Sequence, residues 1–488
     1  MFFGESQNPP WRELFPSQTT TILMKRTIYL CLLTLVFWAC NAYKDLPEPS
    51  RETDWKVKKI SAHPQTPGGD ANAGFDFLKT GNYIGSGVPI ELVEKRLGKY
   101  EDKVLEREGV NANMPYIATA FAAKNGEIVV NGNCFTCHAG KLNGEVVVGL
   151  GDSFSDFRRN MAPLGKALKL GMRLKYGKDS EEWTAYEDFS YYFAGMAPYI
   201  KTNQPGVNPA AHLAEACVAY RDPETLTYTE EPLYDMPDYV LASDVPPLWN
   251  VDKKNALYYT AVGRGDFTKL LFQASVLGIS DSAAAREAVN NFKDVVAWLE
   301  SLEPPVYPAA IDESLAEQGK PLFEEHCSGC HGTYGTDESY PNKVVSIHVV
   351  KTDPYYATYA MEAPIVDWYN QSWFATSQPQ SWFEPEPGYV APPLDGIWAT
   401  APYLHNGSVP TLADLLNSPQ RPMFWERSGR STDYDYQKVG WKYTRRKNNN
   451  GKWTYDTTIP GYHNTGHTFG DDLTDSERKA VIEYLKTL

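Results

Sequence analysis

The chain has 488 residues, enough for two or three domains with cores of their own. Its net charge of −15 argues against nucleic acid and anionic membrane surfaces as partners. Aromatic residues make up 13% of it, with 31 Tyr and 13 Trp, as expected where large flat groups must be enclosed.

The N-terminus reads as an export signal. Lys25-Arg26 precede an apolar run from Ile28 to Ala39 that is too short for a good transmembrane helix, and Met24 alone would open a well-formed signal. The ending Ala39-Cys40 resembles a bacterial lipoprotein signal. That implies a removed segment 1–40, a lipid anchor on Cys40 as the first mature residue, and a periplasmic-side or cell-surface location. Phe37-Trp38 departs from the aliphatic and small residues usual in that pattern. Residues 41–71, polar and carrying Pro47 and Pro49, read as a tether.

Helical spacing follows from Pro89, with Ile90, Val93 and Leu97 on one face. Asn131-Gly132-Asn133 predicts a turn into Cys134-Phe135-Thr136-Cys137-His138. This C-x-x-C-H run is the attachment pattern of a c-type haem: two thiols add to the haem vinyl groups, and the adjacent imidazole binds iron. A zinc knuckle would need further Cys or His partners nearby, and a redox dithiol does not need the trailing His. Val146-Val147-Val148 reads as a strand, and Ser180 to Gly195 as a helix burying Trp183, Tyr186 and Phe189. Cys217 reads as a small buried hydrophobe.

A Pro-bearing stretch leads to Trp249 and then to Gly263-Arg264-Gly265-Asp266. Val289, Phe292, Val296 and Leu299 mark a helix stopped by Pro304-Pro305. Glu317 to His326 predicts a helix running into a second haem motif, Cys327-Ser328-Gly329-Cys330-His331. Asp367 to Pro393 reads as a Trp- and Pro-rich loop, and Trp441 to Tyr455 as a hairpin around Asn450-Gly451. Thr474 and Glu477 form a capping box for a last helix with Val481, Ile482 and Leu485 inward.

Two such motifs, followed by Ala401-Pro402-Tyr403-Leu404-His405-Asn406-Gly407-Ser408, resemble the bacterial di-haem cytochrome c peroxidase superfamily. Its relatives include the tryptophylquinone-maturing enzyme and the latex-cleaving rubber oxygenases, and the ending from Gly466-His467 looks closest to the rubber-oxygenase-like branch. The resemblance implies a mainly α fold of two cytochrome c-like haem domains with long irregular loops. Residues 72–305 would form the N-terminal haem domain with the inter-haem region, and 306–488 the C-terminal cytochrome c domain. Trp249 would carry electrons between two covalent haems; its alternative is a core Trp packed on a haem edge.

His138 and His331 are the proximal ligands by motif. For the second haem the family's Met position falls near Pro419, so His467 is preferred as sixth ligand, ahead of Met423 and His405. His405 is otherwise placed near the haem interface as a propionate partner. The first haem has no well-placed closing ligand, since Met161 and His212 are the next candidates, and it is taken as the substrate site. Asp266 with Arg264 is the nearest match to the family's acid–base carboxylate; the pair could equally be a loop salt bridge or a propionate contact.

Three functions follow as expectations. The first is a di-haem peroxidase, reducing hydrogen peroxide with electrons from a small donor protein or quinol-linked cytochrome. The second is a rubber-oxygenase-like haem dioxygenase acting on an apolar substrate, and the third a pure electron-transfer cytochrome with both irons closed. A calcium ion between the domains is a further family expectation.

Overall fold

The computed structural model describes residues 56–98, 104–236 and 240–488. The export signal, Cys31, Cys40 and the beginning of the tether lie outside the described residues. The remainder of the tether is not a free linker: Val57–Lys59 pairs antiparallel with Lys343–Ser346. Gln65 and Thr66 then bond to Gly265 and Asp266.

The expectation of a mainly α fold with two cytochrome c-like haem domains is corrected. The chain is 37% helix and 14% strand, an α/β mixture with several small sheets. Short β-branched runs that link the helices, such as Ile128–Gly132 and Lys343–Ser346, pair into sheets of two or three strands. Nor do two separate haem domains appear. One apolar cluster holds Leu142 and Leu150 beyond the first motif, Trp249 between the motifs, and Phe323, Leu394 and Val481 around the second.

Two further local readings change. Within the stretch read as a Trp- and Pro-rich loop lie helices Pro364–Gln371 and Trp373–Thr376 and strands Ser381–Phe383 and Gly388–Val390. In place of a hairpin around Asn450-Gly451, Tyr443–Arg445 and Thr454–Asp456 flank a central strand, Phe424–Arg427, one on each side.

Crossed helices support both motifs. Helix Glu313–His326 delivers Cys327 and packs across the C-terminal helix Asp475–Leu485, which carries the capping box of Thr474 and Glu477. Gly319 sits at that crossing, where an added Cβ would lie 2.0 Å from the Ala480 carbonyl oxygen. Near the first motif, helix Ala71–Thr80 crosses Phe292–Glu300, and Phe75 stacks on Trp298 with ring centroids 5.0 Å apart. Phe135, inside the first motif and fully buried, meets both rings edge-on.

Candidate functional site

Each motif is a short helical turn. Cys134–Thr136 follows Asn133, whose side chain accepts from the Phe135 N–H, and Ser328–His331 continues from the long helix. All four motif cysteines are free thiols, and burial pushes Cys134, Cys137 and Cys327 up to about 11. A redox dithiol needs a lowered thiol, so this environment does not suit that alternative. A zinc knuckle also lacks its set: among the described residues no group of three or more His, Cys, Asp or Glu could hold a metal ion. The calcium expectation likewise gains no such cluster.

Each motif histidine has a proline backbone carbonyl as its neighbour. His331 Nδ1 lies 2.8 Å from the Pro392 carbonyl oxygen, which fixes the ring and leaves Nε2 for a metal. At His138 the backbone of Pro246 acts on the ring, and the buried Nδ1 makes no hydrogen bond. Both prolines open a Pro-Pro-Leu run, 246–248 and 392–394, a repeat the sequence reading passed over. Gly151 seats the first run, since a Cβ there would lie 1.8 Å from the Val245 carbonyl oxygen.

Trp249 joins the two runs. It follows Pro246 by three residues, is 2% exposed, and donates from Nε1 to the carbonyl of Asp395 (2.9 Å), three residues after Pro392. The indole packs against Gly149 and Gly396, whose φ of +91° and +67° and lack of a Cβ allow the close approach.

His467 faces His331, with ring centroids 6.2 Å apart at an interplanar angle of 59°. Two imidazoles on opposite sides of one metal, each with a bond of about 2.1 Å and a ring radius of about 1.2 Å, have centroids about 6.5 Å apart. His467, half-buried with its Nδ1 enclosed, is pushed down to about 3, by burial first and then by the charge of His331, so it stays neutral, as a metal ligand must. Its place is fixed by Gly466 (φ +69°), where a Cβ would lie 2.0 Å from Lys351, and by the buried Arg421. Arg421 donates to the carbonyls of Asn464 (2.7 Å), Gly466 (2.6 Å) and His467 (3.0 Å). Sequence reading missed Arg421, because a guanidinium serving carbonyls leaves no motif. Met423, the other nearby candidate, is 60% exposed.

His405 belongs to a different neighbourhood. It stacks on Tyr389 at 4.1 Å, is pushed down to about 4 by burial, and keeps a buried Nε2 without a hydrogen bond. Its loop is tied to the first motif: the Asp244 N–H donates to the His405 carbonyl, Ser243 bridges to Asn208, and Asn208 Nδ2 donates to Cys137 Sγ (3.0 Å). Asn406 and Ser408 both donate to the His463 carbonyl, and Asp353 grips His463 through its ring and its N–H.

The structure places Asp266 and Arg264 on neither motif. Asp266 Oδ2 accepts from Thr66 N (2.6 Å) and Thr66 Oγ1 (2.8 Å), and Arg264 lines a pocket with Lys58 and Trp382. His212 packs on Tyr199. Two charged side chains act on the first motif: Asp152 on Cys137, and Lys254, which adds to the lowering of His138 after burial itself. Lys253 is drawn away to Asp395 and Glu338, and the Asn255 N–H is held by Asn342. The Lys254 ammonium has no hydrogen-bond or ion-pair partner among the described residues, and burial brings it down to about 8.

Free half-buried thiols, a fixed His331, a facing His467 and buried imidazole nitrogens without partners together fit covalent haem.

Residues 388–426 match the family described as RoxA-like, cytochrome c-like. That segment contains Pro392, the Ala401–Ser408 run and Arg421, and the match implies haem c and a haem oxidoreductase. Over 254 residues the chain is 31% identical to the uncharacterized protein y4iJ of Sinorhizobium fredii (strain NBRC 101917 / NGR234), covering 38% of this chain and 41% of that protein. Over 299 residues it is 26% identical to the uncharacterized protein y4iM of the same strain, covering 52% of this chain and 66% of that one. The chain therefore spans less than two thirds of either relative.

Proposed function

We propose that this chain is an exported, lipid-anchored oxidoreductase with two covalent haems, working as a dioxygenase on an apolar, unsaturated substrate. The facing pair His331 and His467 carries the reading, because it marks the second site as closed. Among the described residues His138 has no imidazole opposite it, which leaves the first site for a substrate molecule. The RoxA-like match supports the oxygenase over the peroxidase.

When bound, haem iron supplies one-electron exchange and activation of dioxygen. The chain does the rest. Cys134 and Cys137 fix the first cofactor, and Cys327 and Cys330 the second. Lys254 keeps a positive charge beside His138, where it can donate a hydrogen bond or proton. His405 offers a buried donor to a haem propionate, and Trp249 bridges the two Pro-Pro-Leu runs. The net change is balanced: one C=C bond and one dioxygen become two carbonyl groups.

Peroxide reduction is the rival, with a donor protein supplying two electrons per peroxide. It needs an acid–base group at the first haem, and Asp266 gives one carboxylate oxygen to Thr66. The test is to supply the haem-loaded protein with squalene or a polyisoprene oligomer under labelled dioxygen. Product carbonyls carrying label at both new ends support the oxygenase. Turnover of hydrogen peroxide with a reduced donor, and none of the alkene, would replace it.

A further inference from the structure

We infer that the pocket between Arg264, Lys59, Ser61 and Trp382 binds a small free carboxylate, a site separate from the haem motifs. The inference does not rest on the proposed function.

Arg264 is 4% exposed, yet its guanidinium makes no hydrogen bond among the described residues, and Nη1 is wholly buried. Its backbone cannot shift to relieve this. Gly263–Gly265 pairs antiparallel with Ser381–Phe383, and Gly265, at φ +85°, lies where a Cβ would be 2.4 Å from the Gln380 carbonyl oxygen. An always-charged group held this way, five donors unused, is costly unless something else accepts from it.

The pocket beside it has a volume of about 220 Å³. One end is cationic. Lys58 is spent on Glu386 and lies 3.7 Å from Glu384, while the exposed Lys59 has no ion pair among the described residues. Three cations, Arg264, Lys58 and Lys59, thus face two carboxylates, Glu384 and Glu386, a surplus of one positive charge. Ser61, His63 and Glu384 also line the pocket, and its apolar wall is Ile60, Val344 and the Trp382 ring, against which His63 sits edge-on at 4.7 Å. A carboxylate with a short hydrocarbon body satisfies both ends, because a guanidinium binds the carboxylate fork in two places and the aromatic wall takes the chain. Bare phosphate would leave the apolar walls unused.

Carboxylates are also carried by haem, so the experiment must separate a free acid from a propionate. Isothermal titration calorimetry of the haem-loaded full-length protein with butyrate, succinate and phosphate does so. One saturable site for butyrate is expected, about tenfold or more tighter than for phosphate. R264Q should weaken butyrate about tenfold or more and R264K less, as the fork is lost. K59Q, a surface change, should weaken it about two- to fivefold with the fold intact. Absence of butyrate binding overturns the proposal, as does unchanged affinity in R264Q. An R264Q protein whose Soret band shifts, with no butyrate binding in the wild type, would assign the guanidinium to a propionate instead. If R264Q does not fold, unchanged affinity in K59Q overturns the inference.

Discussion

His331 and His467 face each other across a 6.2 Å gap between ring centroids, although 136 positions separate them in the chain (467 less 331). Two half-buried imidazoles at that spacing with no hydrogen bond between them are what the proposed bis-histidine iron site requires. Replacing His467 by Ala should convert the second site from low spin to high spin in the ferric optical spectrum. Exogenous imidazole should reverse the change. An unaltered spectrum would remove His467 from the iron.

Arg421 and Gly466 hold the backbone of the proposed ligand His467 in place. R421Q should retain haem but give a mixed-spin second site, since three carbonyls lose their donor. G466A should be worse: its Cβ would overlap Lys351, and its left-handed backbone costs a further 1–2 kcal/mol or about that. Thermal melts and spin state read both effects. A fully low-spin R421Q protein would mean that His467 needs no such anchor.

Trp249 should matter for traffic between the sites. W249F removes the bond to Asp395 and part of the core, at a cost of roughly 1–3 kcal/mol. If the indole carries electrons, stopped-flow reduction will show slower equilibration between the two haems with both spectra otherwise preserved. Equal rates would leave Trp249 a packing role.

Glu215 gives a pH signature. It is 0% exposed, neither carboxylate oxygen has a hydrogen bond, and burial pushes it up from 4.5 to about 8. The unfolded chain gives up this proton from about pH 4.5 and the folded chain keeps it to about 8. Stability therefore falls as pH rises across that window. E215Q mimics the neutral acid and should remove that slope, so its melting temperature gains on the wild type from pH 5 to pH 8 by about 2–4 °C or less. Parallel melting curves would show that the carboxyl does not titrate there.

What was readable in advance depended on how local each signal is. A C-x-x-C-H run is contiguous, so both motifs stand out in the sequence, and the capping box at Thr474 is complete within four residues. The sequence singled out His467 through Gly466 beside it, and the structure sets its ring 6.2 Å from that of His331. The small sheets were not, since Val57 meets Val345 across nearly three hundred residues and neither alternates enough to declare itself. Lys254 was hidden in a Lys-Lys pair whose first member turns to Asp395 and whose second turns inward. The role given to Asp266 came from its distance after Trp249, which takes no account of Thr66 docking on it.

The most direct test is electron paramagnetic resonance of the purified ferric protein, with haem content measured on the same sample. The account predicts two haems per chain, one low-spin signal of a bis-histidine iron and one high-spin signal that responds to added cyanide or azide. Two low-spin signals insensitive to those ligands would mean both irons are closed, and electron carriage would replace the oxygenase.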